Sequence, residues 1–179
     1  GNSLLDKGDT DKAIFYYKAA IKLNPDDSKA YSNLGTAFSN QKRPEEAIFY
    51  YKMAIKLNPN FAVAYNNLGN TLLSMREAEQ AISQYKMAIK IAPNYASAYH
   101  KLGNALFVEG RTGEAIFHYK TAIKLEPDHA STHYNLGNAL LALQKPEEAI
   151  SQYKIAIKLK PNYVQAHHNL RETLVRLEK

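Results

Sequence analysis

The sixteen residues from Asn135 to Ile150, "NLGNALLALQKPEEAI", nearly repeat the sixteen from Asn67 to Ile82, "NLGNTLLSMREAEQAI". The offset between these two stretches is twice a period of thirty-four residues that runs through the chain. One proline, one glycine, two alanines, one tyrosine and one leucine recur at this period. The prolines are Pro25, Pro59, Pro93, Pro127 and Pro161, and the glycines are Gly1, Gly35, Gly69, Gly103 and Gly137. A fixed period of this length predicts a repeat protein in which each unit packs against the next.

Each period contains two predicted helices. From Ala62 to Met75, apolar side chains fall at Tyr65, Leu68 and Leu72, which is the spacing of one helix face. The stretch from Ala78 to Ile91 shows a second such face. We therefore predict a helix, a tight turn and a second helix in every unit.

Proline and glycine support this division. Pro44 and Pro146 suit the first turn of a second helix, where a missing N–H costs little. The later proline of each unit ends that helix, because the residue before proline is pushed out of the α region. A glycine inside a helix costs about 1 kcal/mol against alanine. The recurring glycine therefore predicts a place where two helix backbones approach closely.

A repeating unit with Leu-Gly, then Ala, Tyr, Ala and Pro at these spacings resembles the tetratricopeptide repeat family over essentially the whole chain. The resemblance implies an all-α, right-handed superhelix (an α-solenoid) of antiparallel helix pairs, with the first helix of each pair lining a concave groove. We expect one domain over 1–179, with a truncated repeat at 1–27, full repeats at 28–61, 62–95, 96–129 and 130–163, and a terminal helix at 164–179. The chain departs from the family where an early tryptophan is usual, at Tyr31, Tyr65, Tyr99, His133 and His167.

Composition excludes several classes of protein. The net charge is +6 and there is no cysteine, so disulfides and thiolate metal sites are absent. No apolar run is long enough for a membrane span, and no signal-peptide pattern opens the chain. We therefore expect a cytoplasmic protein. Because Gly1 falls in the middle of a helix by register, we also expect the sequence to be a fragment.

Asparagines recur in two rows along the predicted groove. Asn67 and Asn70 lie three residues apart and so share a helix face. Their equivalents are Asn33, Asn135 and Asn169 in the first row, and Asn2, Asn104 and Asn138 in the second. An amide carries donors and an acceptor, so it can pair with both polar groups of a peptide backbone. The rows resemble the asparagine ladder in the tetratricopeptide domain of O-linked N-acetylglucosamine transferases, although they could equally bridge neighbouring helices.

Other groove positions vary from repeat to repeat, as a specificity surface would. Phe107, Tyr134 and Leu141 could form an apolar pocket for a partner side chain, or could pack against the adjacent helix. The predicted groove residues are Asn33, Asn67, Asn70, His100, Lys101, Asn104, Phe107, Tyr134, Asn135, Asn138, Leu141, His168 and Asn169. The cations of the family's two-carboxylate clamp are mostly missing, which disfavours a chaperone C terminus as ligand.

The predicted outer face is basic and partly aromatic. Every second helix carries two lysines four residues apart, which could attract an acidic partner or could simply be a solvated face. Phe15, Phe49 and Phe117 should also be exposed there. These phenylalanines are possible outer contacts for self-association or a second partner. No nucleic-acid partner is expected, because aromatics are not interleaved for base stacking.

No motif for catalysis is present. The sequence lacks a phosphate-binding glycine loop, a zinc-helix motif and a nucleophile elbow, and the paired glutamates stand at helix starts. We expect no enzyme activity, no cofactor and no metal site. The predicted function is a scaffold or adaptor that holds an extended peptide. The alternatives are the substrate-recruiting arm of a larger enzyme, such as a glycosyltransferase, and a self-assembling scaffold.

Overall fold

A computed structural model describes residues 9–177. This part of the chain contains ten α-helices and no β-strand. The helices are α1 (Thr10–Leu23), α2 (Ser28–Asn40), α3 (Pro44–Leu57), α4 (Ala62–Ser74), α5 (Ala78–Ile91), α6 (Ala96–Val108), α7 (Thr112–Leu125), α8 (Ala130–Ala142), α9 (Pro146–Leu159) and α10 (Val164–Leu177). None of them is both long and apolar enough to cross a bilayer.

The helix boundaries follow the local chemistry of the sequence. The predicted helices at 62–75 and 78–91 are α4 and α5, and Pro44 and Pro146 begin α3 and α9 as expected. Asp27 caps α2, because its Oδ1 accepts hydrogen bonds from the backbone N–H of Lys29 and of Ala30, each at 3.0 Å.

The turn inside each helix pair has one conformation in four copies. Its central residue is left-handed, with φ of 58° at Lys42, 65° at Arg76, 73° at Gly110 and 57° at Gln144. The next residue donates its N–H to a carbonyl five residues back, as Arg43 does to Phe38 at 3.0 Å. This is the Schellman motif, which satisfies carbonyls at the end of the first helix. Gly110 alone among the four adopts this φ without a Cβ penalty.

The helices form two compact units, α1–α5 and α6–α10, divided between Pro93 and Asn94. Within each unit, every helix packs against the next along the chain. The first helices of successive pairs also touch, α2 with α4 in unit 1 and α6 with α8 in unit 2. Each unit is therefore a stack of helix pairs, and the fold class is an all-α helical-repeat solenoid.

The recurring glycines make room for tyrosine rings. A Cβ built on Gly103 would lie 2.6 Å from Cε1 of Tyr119, and one on Gly137 would lie 2.5 Å from Cε1 of Tyr153. We expected two backbones to meet at these glycines. At Gly35 a built Cβ does lie 3.1 Å from the backbone oxygen of Ala47, but in all four pairs the nearest atoms belong to a tyrosine ring on the second helix, which occupies the space a side chain would need.

The last described helix, α10, exposes both charged and apolar side chains. α10 packs against α9, and Arg171, Glu172 and Arg176 on it are exposed. Leu174 and Val175 on the same helix are 40% and 45% exposed. The predicted repeat boundaries at 1–27 and 164–179 extend beyond the described residues.

Candidate binding face

A tyrosine–asparagine hydrogen bond joins the two helices in three of the pairs, from a tyrosine on the second helix to an asparagine on the first. The hydroxyls of Tyr85, Tyr119 and Tyr153 each donate to the Oδ1 of an asparagine 15 residues earlier, at 2.9 Å. The asparagines are Asn70, Asn104 and Asn138, the second predicted row. Each follows the glycine on which the same tyrosine ring lies. One tyrosine therefore contacts two adjacent residues, which explains why glycine and asparagine recur together.

Burial widens the pH range over which these tyrosine hydroxyls stay protonated. It raises the pKa of Tyr119 well above the ordinary value of 10, and it raises the pKa of Tyr153 to about 12. The hydroxyls, which an unshifted tyrosine also keeps protonated at neutral pH, therefore remain donors in alkaline solution as well. From the sequence we assign this tyrosine register no role and do not predict the hydrogen bond, although the constant spacing between tyrosine and asparagine is visible in the sequence.

In unit 2 the two asparagine rows are joined to one another. Asn135 donates through Nδ2 to Oδ1 of Asn104 at 2.9 Å, and Asn169 donates in the same way to Asn138 at 2.8 Å. Each second-row carbonyl thus accepts from a tyrosine of its own pair and from an asparagine of the next pair. The amides here perform the bridging role that the sequence left open.

In the described part of unit 1 the first row is not bridged. Thr36 takes the second-row place, and its hydroxyl lies 3.2 Å from the Tyr51 hydroxyl. Asn67, on the first helix of the next pair, is half-buried, and its amide forms no hydrogen bond within residues 9–177. The Asn33 amide likewise forms no hydrogen bond within these residues, while Asn2 lies outside the described residues.

An apolar cavity opens between the amides of unit 2. It has a volume of about 180 Å³, and Phe107, Val108 and Tyr119 line it together with Asn104, Asn135 and Asn138. Of the predicted trio, only Phe107 lines this cavity. Tyr134 packs at 6.0 Å from Tyr153 and 5.0 Å from Tyr163, ring centre to ring centre. Leu141 is partly exposed on α8.

His100 and Lys101 line a second, polar cavity of unit 2, with a volume of about 340 Å³. His100 is only 7% exposed. Its Nδ1 lies 2.8 Å from the Thr132 hydroxyl, which lies 2.6 Å from Nδ1 of His129. Asn104 Nδ2 lies 3.2 Å from His100 Nε2. Burial, together with the charges of His129 and Lys101, lowers the pKa of His100 to about 4, so the ring is neutral at pH 7.

The other predicted sites are exposed. His168 on α10 faces water, as do Phe15, Phe49 and Phe117, whose exposed fractions are 68%, 57% and 65%. All ten outer lysines are exposed as well. Within residues 9–177, no three histidine, aspartate or glutamate side chains converge in a way that could hold a metal ion.

Stacked helix pairs with a tyrosine lying on a glycine in each pair define a helical-repeat interaction protein. Sequence profiles described as "TPR repeat" match residues 1–42, 77–110 and 103–144. Profiles described as "Tetratricopeptide repeat" match 28–61, 130–163 and 50–83. The chain belongs to the tetratricopeptide repeat family.

Solved structures agree with this assignment. A crystal structure of MamA aligns with a TM-score of 0.80 and 28% identity, over 92% of this chain and 96% of that chain. TTC0263, a thermophilic TPR protein of Thermus thermophilus, aligns with a TM-score of 0.78 and 24% identity, over 98% and 95%. YrrB, described as a TPR protein with an unusual peptide-binding site, aligns with a TM-score of 0.76 and 23% identity, over 93% and 86%. Curated protein sequences gave no match.

Proposed function

We propose that the first-helix faces of this protein bind an extended segment of a partner protein, and that an apolar side chain of that segment enters the Phe107 cavity. The protein would act as a scaffold or adaptor. The observation that carries the proposal is the cavity itself, whose apolar walls are surrounded by three amides. A central apolar anchor with polar groups around it is the common form of a peptide-binding surface.

The amides keep donor and acceptor atoms for a peptide in addition to their hydrogen bonds within the protein. An amide offers two N–H donors and a carbonyl with two lone pairs. Within the described residues, Asn138 Nδ2 and Asn135 Oδ1 have no protein partner, and both residues line the Phe107 cavity. In the described part of unit 1, the amides of Asn33 and Asn67 are wholly unpaired. A peptide backbone presents the complementary N–H and C=O groups, so recognition would tolerate different peptide sequences.

The tetratricopeptide relatives support an interaction function. YrrB carries a peptide-binding site on a similar fold. The tetratricopeptide fold in general serves as an interaction scaffold. The groove residues His100, Lys101, Leu141, His168 and Asn169 are proposed as flanking contacts, of which His100 would act through the amide of Asn104 rather than by direct contact.

The proposal is tested by selecting peptides from a random displayed library and measuring their affinity by calorimetry. Phe107→Ser should weaken the selected peptides at least about tenfold, because an apolar side chain loses its buried contact. Leu174→Ser is the matched control, since Leu174 is 40% exposed on α10 and lies outside the cavity. Equal loss in both variants, or no loss in Phe107→Ser, would count against the cavity as the site.

Two other roles make different predictions. If the chain is the substrate-recruiting arm of a larger enzyme, the selected peptides should be modified by the natural full-length polypeptide and compete with its substrates. If it is a self-assembling scaffold using Phe15, Phe49 and Phe117, its mass in sedimentation equilibrium should rise with concentration and fall back in the triple serine variant.

A further inference from the structure

The second helices of unit 1 carry a two-dimensional array of lysines. Each helix contributes two lysines one turn apart, and all of them are exposed. They are Lys18, Lys22, Lys52, Lys56, Lys86 and Lys90. Like charges one turn apart on a helix are mildly destabilising, so the array is not explained by helix stability.

Within the described residues none of the six lysines is in an ion pair. The carboxylates on the same helices lie six or seven residues before the first array lysine of each helix, and they are Asp11, Glu45, Glu46 and Glu79. The ion pairs of the described residues join side chains three apart near helix starts, such as Arg43 with Glu46 and Lys12 with Asp9. Within residues 9–177, these ion pairs include none of the six lysines. Their charge is therefore available to an external anion.

Two exposed phenylalanines belong to the same face. Phe15 lies three residues before Lys18, and Phe49 lies three residues before Lys52, so each aromatic ring shares a helix face with its lysine. Phe15 is 68% exposed and Phe49 is 57% exposed, so neither ring is seated in a pocket.

Aromatic contacts make this face continuous between α1 and α3. Lys18 Nζ lies 5.8 Å from the ring centre of Phe38 on α2. The Phe38 ring stacks on Tyr50 at 5.2 Å, and Tyr50 meets Phe49 edge to face at 5.1 Å. The Phe38 ring is only 3% exposed, so it joins Lys18 on α1 to the Tyr50–Phe49 pair on α3 from below the exposed face.

We propose that this lysine–phenylalanine face of unit 1, formed by Phe15, Phe49 and the six lysines, docks on the surface of an anionic lipid membrane. Lysines near such a surface gain attraction from its negative potential, and a protruding aromatic ring can enter the headgroup region. A bilayer accepts a protruding side chain without a preformed pocket, and its charge extends in two dimensions as the array does.

The same observations disfavour the other occupants. An extended acidic polypeptide has its charge along one line and would leave most of the array unpaired. A second copy of this face would bring six lysines against six lysines. Lysine is a hydrated point charge without the planar fork of arginine, which suits diffuse attraction better than fixed pairing.

The test is co-sedimentation with phosphatidylcholine vesicles, with and without phosphatidylserine. We expect binding to the anionic vesicles only, and loss of that binding when salt is raised well above about 0.1 M, where screening shortens the reach of the charges. Lys18→Glu and Lys52→Glu should each lower the partition coefficient at least about fivefold, the factor that one lysine near an anionic surface supplies. Lys18→Gln and Lys52→Gln repeat the test without a new negative charge.

Phe15→Ser and Phe49→Ser separate the aromatic contribution from the charge. The chain itself has Ser83 and Ser151 at the corresponding places, so serine is compatible with the fold. Each variant should lower the partition coefficient severalfold while leaving its salt dependence unchanged. Phe107→Ser should bind vesicles as wild type does, which keeps this test independent of the proposed peptide site.

Three results would overturn the proposal. The first is equal binding to neutral and anionic vesicles, or binding that the lysine variants leave intact. The second is binding to soluble poly-glutamate with none to vesicles, which would assign the face to an acidic polypeptide. The third is a dimer that Phe15→Ser and Phe49→Ser dissolve, in a protein that does not bind vesicles, which would assign it to a second copy.

Discussion

Asn67 in unit 1 and Asn135 in unit 2 stand in the same place of the repeat, yet they bond differently. Both belong to the sequence "NLGN" on a first helix. Asn135 donates to Asn104 at 2.9 Å, whereas Asn67 has no side-chain partner within the described residues. The difference originates on the first helix of the preceding pair, where unit 2 has an asparagine and unit 1 has Thr36.

The comparison shows that an identical motif can brace the fold in one repeat and remain available in another. The Thr36 hydroxyl is bonded to the Ser32 carbonyl at 3.2 Å and lies 3.2 Å from Tyr51. It is also shorter than an amide. We therefore expect unit 2 to owe more of its stability to polar contacts between helices, and unit 1 to offer more unoccupied amide groups to a ligand.

The largest difference in stability between the two units should appear at acidic pH. The pKa of His100 is lowered to about 4 from 6.5 chiefly by burial, so the unfolded chain binds a proton first as the pH falls. Stability that is present above pH 6.5 is then lost as the pH falls toward 4, by up to about 3 kcal/mol. Hydrogen exchange between these pH values should show protection falling first in α6 and α8.

His100→Asn is the matched variant, because unit 1 has Asn66 in the same place. It should lose less stability than wild type over the same pH range in chemical denaturation. An unchanged pH dependence in this variant would show that other groups cause the acid sensitivity.

Removing a second-row hydrogen-bond acceptor should lower the free energy of unfolding more in unit 2 than in unit 1. Asn104→Ala leaves the Tyr119 hydroxyl and the Asn135 amide without their acceptor, and should cost about 2 kcal/mol. Thr36→Ala removes one longer contact and should cost less than about 1 kcal/mol. Urea denaturation of both variants at pH 7 measures the difference, and equal costs would contradict the comparison.

A methyl group added at the glycine tests how firmly each tyrosine is held. In Gly103→Ala the new Cβ would lie 2.6 Å from Tyr119, against 2.9 Å from Tyr51 in Gly35→Ala. Overpacking costs about 1–3 kcal/mol and the gain in helix propensity returns about 1, so we expect a net loss of about 1 kcal/mol for Gly103→Ala and less for Gly35→Ala.

Gly113→Ala is the control for this pair. No heavy atom lies within 4 Å of a Cβ built on Gly113, so alanine there should stabilise the protein by a few tenths to about 1 kcal/mol. If thermal unfolding shows a similar gain in stability for Gly103→Ala, the Tyr119 ring moves aside freely.

The smallest effect should separate the two first-row asparagines. Asn135→Ala loses its hydrogen bond to Asn104 and should cost about 1 kcal/mol, whereas Asn67→Ala should stay within about 0.5 kcal/mol of wild type. In the peptide-binding assay, Asn67→Ala should weaken a ligand that spans unit 1 without changing the melting temperature. A melting temperature that falls as much as in Asn135→Ala would contradict the free amide.

Much of this fold could be predicted from the sequence, because its signals are local. The limits of α4 and α5, the prolines that begin α3 and α9, and the exposed phenylalanines all follow from helix periodicity and turn chemistry. For the site, the sequence predicts on which helix face the residues lie, but not which side chains they contact. Periodicity places Asn104 on a face but does not say which side chain its carbonyl accepts from, and Tyr134 packs against Tyr163 because of a contact between residues far apart in the chain.

The Tyr–Asn hydrogen bonds have a mechanical consequence. Each one joins only helices that are neighbours in the chain, and no described bond of this kind ties a repeat to a distant one. Repeats joined in this way bear a pulling force one after another rather than side by side. A chain pulled from its two ends should therefore lengthen in steps of about one repeat and recover in the same steps, as an elastic tether does.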